Sequence, residues 1–327
     1  MSTTTQGQVD SRVGIEDIRD AARGMEGVAV RTELRRIEAF SDQAGYPVYL
    51  KLENQQPSGA FKLRGAWTAV RRLPEARRQA GVITYSSGNH GQAVAFAAAR
   101  LKVRAVIVMP ETVPAAKMEG VKRWGGEVVL AGTTSEDRLA RAREIVAAEG
   151  LTVIPPFDHP DVIAGQGTVG LEIVEDLPEL SHVVVPVGGG GLAAGVTTAV
   201  KALRPEARVS AVEPHGSCAY AAALEAGKPV RLDATASVAD GLLPLEVGRL
   251  TFEYMRPHVR SVLVSDTDIV NATQWLLREA AIVAEPSGAT TTAAFQSGVL
   301  DIDGPTVLVV SGGNIDVTSI PTLRAVA

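Results

Sequence analysis

Pro57-Ser58-Gly59-Ala60-Phe61-Lys62-Leu63-Arg64-Gly65-Ala66-Trp67 is the stretch on which the reading of this chain turns. Leu63, Ala66, Trp67, Val70 and Leu73 recur through it and behind it at helical spacing, and Ser58 stands where an N-cap would. Lys62 therefore falls in or just after the first turn of a helix. There the positive end of the helix dipole disfavours an ammonium and lowers its pKa. A lysine that works as a free amine, or as a covalent attachment point, benefits from such a position. Taken alone, a surface lysine on an amphipathic helix is the plainer explanation, so the rest of the chain has to decide.

Outward from that stretch, strands and helices alternate. Val48-Tyr49-Leu50-Lys51-Leu52 reads as the strand leading into the Lys62 helix. Downstream the periodicity predicts strands at 82–85, 105–109, 127–131, 152–154, 182–187, 208–213, 259–265 and 306–310. Helices are expected at 92–101, 114–124, 135–149, 166–176, 192–203, 217–226, 267–281 and 286–297, with a short one at 15–24. This alternation implies an α/β protein with open, mostly parallel sheets covered by helices on both faces. Pro155-Pro156 and the stretch from Asp158 to Gly167 read as a boundary between two such units, with a cleft between them.

Composition narrows the function classes. The 327 residues suffice for two domains, and 46% hydrophobic with 21% charged residues is an ordinary globular balance. A net charge of −5 without basic runs argues against nucleic acid, and 4% aromatics against a base-stacking platform. The single cysteine, Cys218, excludes an intramolecular disulfide and fits a reducing cytoplasm. Met1 to Arg12 is polar, lacks the apolar segment of a signal peptide, and reads as a disordered tail. Val183 to Val200 is uncharged, but Pro186 and Gly188 to Gly191 break it into strand, glycine turn and buried helix, so no membrane span is expected.

Three predicted strand ends carry more turn chemistry than a plain connection requires. Ser86-Ser87-Gly88-Asn89-His90-Gly91 brings hydroxyls, an amide and an imidazole to a helix start, a cradle suited to a carboxylate. Gly188-Gly189-Gly190-Gly191 lets backbone N–H groups approach a phosphate with a helix dipole behind them. It is neither a Walker motif nor the dinucleotide fingerprint, although Glu213 lies about twenty positions on and keeps a dinucleotide in play. Ser311-Gly312-Gly313-Asn314 places a hydroxyl at the last strand end. A lysine amine, a carboxylate cradle, a monophosphate loop and a further hydroxyl are together the requirements of pyridoxal 5'-phosphate acting on an amino acid.

These segments, with Val162 to Thr168, Ala239-Asp240-Gly241 and Glu285-Pro286-Ser287-Gly288-Ala289, run in the order found in one family. From about residue 25 to its end the chain resembles the serine/threonine dehydratase and serine racemase family of fold type II pyridoxal phosphate enzymes. The resemblance implies a large cofactor-binding domain from 1–70 and 158–327 and a small domain, 80–157, carrying the substrate carboxylate loop. It implies that Lys62 holds the cofactor aldehyde and serves as catalytic base, with Phe61 against the ring. Gly188, Gly189, Gly190 and Gly191 would bind the phosphate, and Ser311 would face the pyridine nitrogen. Ser86, Ser87, Asn89 and His90 would meet the substrate, Asn89 also lying near the ring hydroxyl and Ser87 supplying a second proton donor. The implied activity is an ammonia-lyase (dehydratase) reaction on L-threonine or L-serine, and the partner a second copy in a homodimer. Racemisation, or elimination from hydroxyaspartate or phenylserine, is the alternative.

Two positions depart from the family pattern. Ala60 stands where a serine is usual. The family's divalent-cation site pairs a glutamate like Glu213 with an acid near position 219, which here is Ala219, and residue 217 is Ser217. That leaves Glu213 a weak candidate ligand and a divalent cation doubtful. With nothing after Ala327, no appended regulatory domain is expected.

Overall fold

A computed structural model describes residues 12–86 and 88–326. The polar stretch read as a tail falls, apart from Arg12, outside them, as does Ser87. Ten strands form two open sheets: β1 (Leu34–Arg36), β2 (Val48–Leu52), β3 (Val82–Thr84), β4 (Ala105–Met109), β5 (Glu127–Leu130), β6 (Thr152–Val153), β7 (His182–Pro186), β8 (Arg208–Pro214), β9 (Val259–Val264) and β10 (Thr306–Val310). The larger sheet has the order β1-β2-β10-β7-β8-β9, in which β1 alone runs antiparallel. The smaller sheet, β5-β4-β3-β6, is parallel throughout. Every residue of β3, β4, β7 and β10 is buried. Helices therefore cover both faces, and these strands read as apolar runs broken only at their ends, by Thr84, His182 and Thr306, rather than as alternating ones.

The sheets answer to the expected alternation, but one connection differs. The helix expected at 166–176 spans Pro160–Asp176. His159 caps it, its Nδ1 accepting the Asp161 N–H at 3.2 Å, and Pro160 occupies the first turn, where a missing N–H costs nothing. Gly165 and Gly167 made this stretch look like a loop. In the fold they are contact points: a Cβ on Gly165 would overlap the Arg64 carbonyl, and one on Gly167 would lie 3.0 Å from the Gly195 carbonyl. The helix thus lies almost backbone to backbone against helices Lys62–Arg72 and Gly191–Leu203.

Helix Lys62–Arg72 is anchored by charge as well as packing. Arg64, two residues beyond Lys62, is 1% exposed and sends paired hydrogen bonds of 2.6–2.9 Å to the carboxylates of Glu53 and Glu172. Lys51, fully buried on β2, adds its ammonium to Glu172 at 2.7 Å and to the Thr32 carbonyl at 2.8 Å. Two cations thus meet two carboxylates, so the interior cluster is neutral. Among the described residues no helix is long and apolar enough to cross a membrane.

Candidate active site

The carboxyl ends of β2, β3, β7 and β10 converge, as open parallel sheets lead one to expect of a ligand site. The turn after β2 is zipped to the turn after β10. Phe61 N–H donates to the Ser311 carbonyl at 3.0 Å, Gly313 N–H to the Gly59 carbonyl at 2.9 Å, and Ala60 bridges Gly312. Gly59 has φ +77°, and a side chain there would strike Asn314. Ser58 is not the expected N-cap. Its hydroxyl lies 3.4 Å from the Ala60 carbonyl, and Phe61 occupies the cap position in αR conformation. The helix start is fixed instead by the backbone bonds to residues 311–313.

Lys62 opens that helix, and its Nζ donates to the Pro156 carbonyl at 2.6 Å while lying 5.2 Å from the centre of the Phe61 ring. Burial disfavours the ammonium and lowers its pKa to about 8. A pKa there puts a minor but substantial fraction of the lysine in its neutral form at physiological pH. The next residue, Phe157, lies over the glycine turn: a Cβ on Gly189 would enter its ring, and one on Gly191 would sit 3.0 Å from its backbone. Gly190 has φ +91° and caps helix Gly191–Leu203. The first N–H groups of that helix have no helical partner, and a Cβ on any of the four glycines would come within 3.0 Å of Pro244, Phe157 or Thr251.

Across the cleft, Asn89 and His90 stand in the first turn of a helix, Asn89–Leu101, that begins three residues earlier than its periodicity predicts. Ser86 accepts the Gly88 N–H at 3.4 Å. Asn89 donates to Glu285 at 2.5 Å and accepts from Asn314 at 2.8 Å. The His90 ring is committed elsewhere. Its Nε2 faces the Ile154 carbonyl at 3.0 Å, so Nε2 carries the proton, and its buried Nδ1 has no partner. Burial, and then the Lys62 charge, lower its pKa to about 3. In this neutral tautomer Nδ1 keeps an unshared lone pair inside the protein.

Sequence reasoning assigned no role to Glu285, Asn314, Pro156 or Phe157. The first two lay within matched segments, but only the fold reveals that their side chains meet Asn89. Glu285 is buried, and burial, followed by the charge of Asp240, raises its pKa to about 7. Its folded pKa exceeds the unfolded one, so its protonated form favours folding below pH ~4.5, and that contribution is lost as pH rises through about 7. Glu285→Gln keeps an oxygen for Asn89 and removes the buried charge. The variant is expected to melt higher than wild type at pH 8, by on the order of 2 kcal/mol, and about equally at pH 4.5. Thermal melts at the two pH values check this.

Residues 26–312 match the family described as pyridoxal-phosphate dependent enzyme. The chain belongs to that family. An L-threonine ammonia-lyase of Thermotoga maritima is 41% identical over 94% of this chain and 77% of its own. An L-threo-3-hydroxyaspartate ammonia-lyase of a Pseudomonas species is 37% identical over 94% of this chain and 97% of its own. Among solved structures, maize serine racemase superposes with a TM-score of 0.91 at 35% identity, covering 95% of this chain and 96% of that one. The residues present suit the cofactor of a pyridoxal-phosphate enzyme: a buried amine of lowered pKa stands beside a glycine cradle that any Cβ would fill.

Proposed function

We propose that this chain is a pyridoxal phosphate-dependent ammonia-lyase converting a small β-hydroxy amino acid, L-threonine or L-serine, to a 2-oxo acid and ammonia. The observation that carries this reading is the buried Lys62 amine, held by the Pro156 carbonyl, whose neighbour Phe157 lies over the glycine turn. Lys62 would hold the cofactor with Phe61 against its ring, Gly188 to Gly191 its phosphate, and Ser311 its ring nitrogen. Ser311 is buried, its hydroxyl 3.5 Å from the Ser287 carbonyl, and a neutral hydroxyl leaves that nitrogen largely unprotonated. The two sheets would mark the functional units, 1–70 with 158–327 and 80–157.

When bound, the cofactor supplies an electron sink for the substrate's α-carbon. The Ser86 hydroxyl and the N–H groups at the start of helix Asn89–Leu101 receive the substrate carboxylate. Lys62 Nζ, whose pKa burial lowers to about 8, takes the α-proton from its neutral form. The β-hydroxyl departs as water, and the released enamine hydrolyses in solution to 2-oxo acid and ammonia. Phe157 and the segment around Leu242 cover the glycine turn and keep water from it.

Charge at the mouth supports a neutral side chain. Asp240 and Glu285 lie close enough that the one raises the pKa of the other, and the Lys117 ammonium is already paired with Asp240. The β-carboxylate of a hydroxyaspartate would meet those acids. Initial rates on L-threonine, L-serine and L-threo-3-hydroxyaspartate test this. The expected kcat/KM is at least about tenfold lower for the diacid, a difference of ~1.4 kcal/mol. An equal or higher value for the diacid would overturn the preference.

The match to serine racemase favours one second reading, inversion at the α-carbon, which needs a proton donor opposite Lys62. Ser87 is the residue proposed for it. Ser87→Ala is expected to leave elimination from the L-substrate partly intact and to remove racemisation and D-serine turnover. Equal loss of all three, read by chiral chromatography, would make Ser87 a substrate-holding residue. A cytoplasmic homodimer completes the proposal, and analytical ultracentrifugation of the purified protein tests the dimer.

A further inference from the structure

The family's divalent-cation site uses a glutamate like Glu213, and the residues around it here do not fit a cation. We infer that Glu213 itself takes the cation's structural place, as the anchor of helix Ala219–Ala226 and of the wall over the glycine turn. Glu213 is fully buried at the end of β8, and both its carboxylate oxygens are engaged by positive dipoles. The Tyr220 N–H donates to Oε1 at 2.7 Å and the Ala221 N–H to Oε2 at 2.9 Å. A hard cation needs several oxygen ligands and would have to displace both donors. Its other ligands are missing: Ala219 has no carboxylate, and the Ser217 hydroxyl is turned to the Leu242 carbonyl at 2.6 Å. Among the described residues no group of three His, Cys, Asp or Glu side chains could hold a metal.

The helix end supplies what the ion would. Its first N–H groups, which lack helical partners, carry a partial positive charge of roughly half a unit, and their bonds to the carboxylate oppose the burial that raises the Glu213 pKa to about 7. From this cap the contacts run to the cofactor site. Ser217 holds Leu242, and Ala236 N–H donates to the Gly216 carbonyl at 2.9 Å. Leu242 and Pro244 lie against Gly188, where a Cβ would come within 3.0–3.1 Å of them. Gly241 N–H donates to the Ser287 hydroxyl at 2.8 Å. Glu213 is thus a positioning residue, acting through the 236–244 segment on the space in front of the glycine turn.

The test uses the holoenzyme, dialysed against chelator and then given magnesium or calcium chloride, with sodium chloride of equal ionic strength as control. Melting temperature and cofactor retained after gel filtration are read for wild type, Glu213→Gln and Ala219→Asp. Wild type is expected to be unmoved by either cation. Glu213→Gln loses one of two acceptor oxygens and is expected to melt lower by roughly 2–4 °C and to shed cofactor faster. Ala219→Asp places a second carboxylate beside Glu213, and is expected to be destabilised after chelation and to recover several degrees with calcium. A wild-type melting temperature that rises with cation, or a Glu213→Gln protein that melts and retains cofactor like wild type without cation, would overturn the inference. The wild-type arm decides even where a variant fails to fold.

Discussion

Lys62→Ala is expected to yield a folded, colourless protein whose turnover falls by on the order of 10⁴-fold or more. The side chain makes one hydrogen bond, to Pro156, and its ammonium is disfavoured by burial. Removing it therefore costs little stability, and the melting temperature should stay level or rise slightly. Borohydride reduction followed by denaturation checks the attachment, because only a cofactor linked to a lysine is thereby fixed covalently to the protein. A Lys62→Ala protein on which this treatment still fixed cofactor would place the attachment on another lysine and remove the basis of the assignment.

Arg64→Met is expected to produce the largest loss of stability, about 3–5 kcal/mol, or a fall in melting temperature on the order of 10 °C. Methionine fills much of the volume but leaves Glu53 without its fork, in a site where both carboxyl oxygens now accept from the arginine. Glu172 keeps Lys51 at 2.7 Å, so the uncompensated charge concentrates on Glu53. The loss should shrink as the pH is lowered and Glu53 is protonated. Denaturant melts at pH 7.5 and pH 5 check this. A loss under about 1 kcal/mol at pH 7.5 would mean that water enters and the cluster anchors nothing.

Much of this architecture was legible because it is written in local patterns. Val183-Val184-Val185 and Val307 to Val310 are apolar on every position, since parallel strands are covered on both faces. Lys62 and Gly191 each open a helix, as the short-range patterns around them indicate. Helix Pro160–Asp176 was read short because Gly165 and Gly167 look like loop residues until the helices they let approach are in view. The Asn89–Glu285–Asn314 contacts join residues 196 and 225 positions apart, and no spacing rule spans that distance. The partner of the His90 ring, the Ile154 carbonyl, likewise belongs to a different segment, and burial rather than motif fixes its protonation.

The central claim is the reaction itself, and the most direct measurement is product stoichiometry from one amino acid. Purified protein with bound cofactor is given L-threonine, and 2-oxobutanoate, ammonia and the configuration of remaining threonine are followed together. The account predicts 2-oxobutanoate and ammonia in equal amounts, matching the threonine consumed, and loss of both with Lys62→Ala. Threonine inverted at its α-carbon without 2-oxo acid, or ammonia released without 2-oxobutanoate, would contradict it.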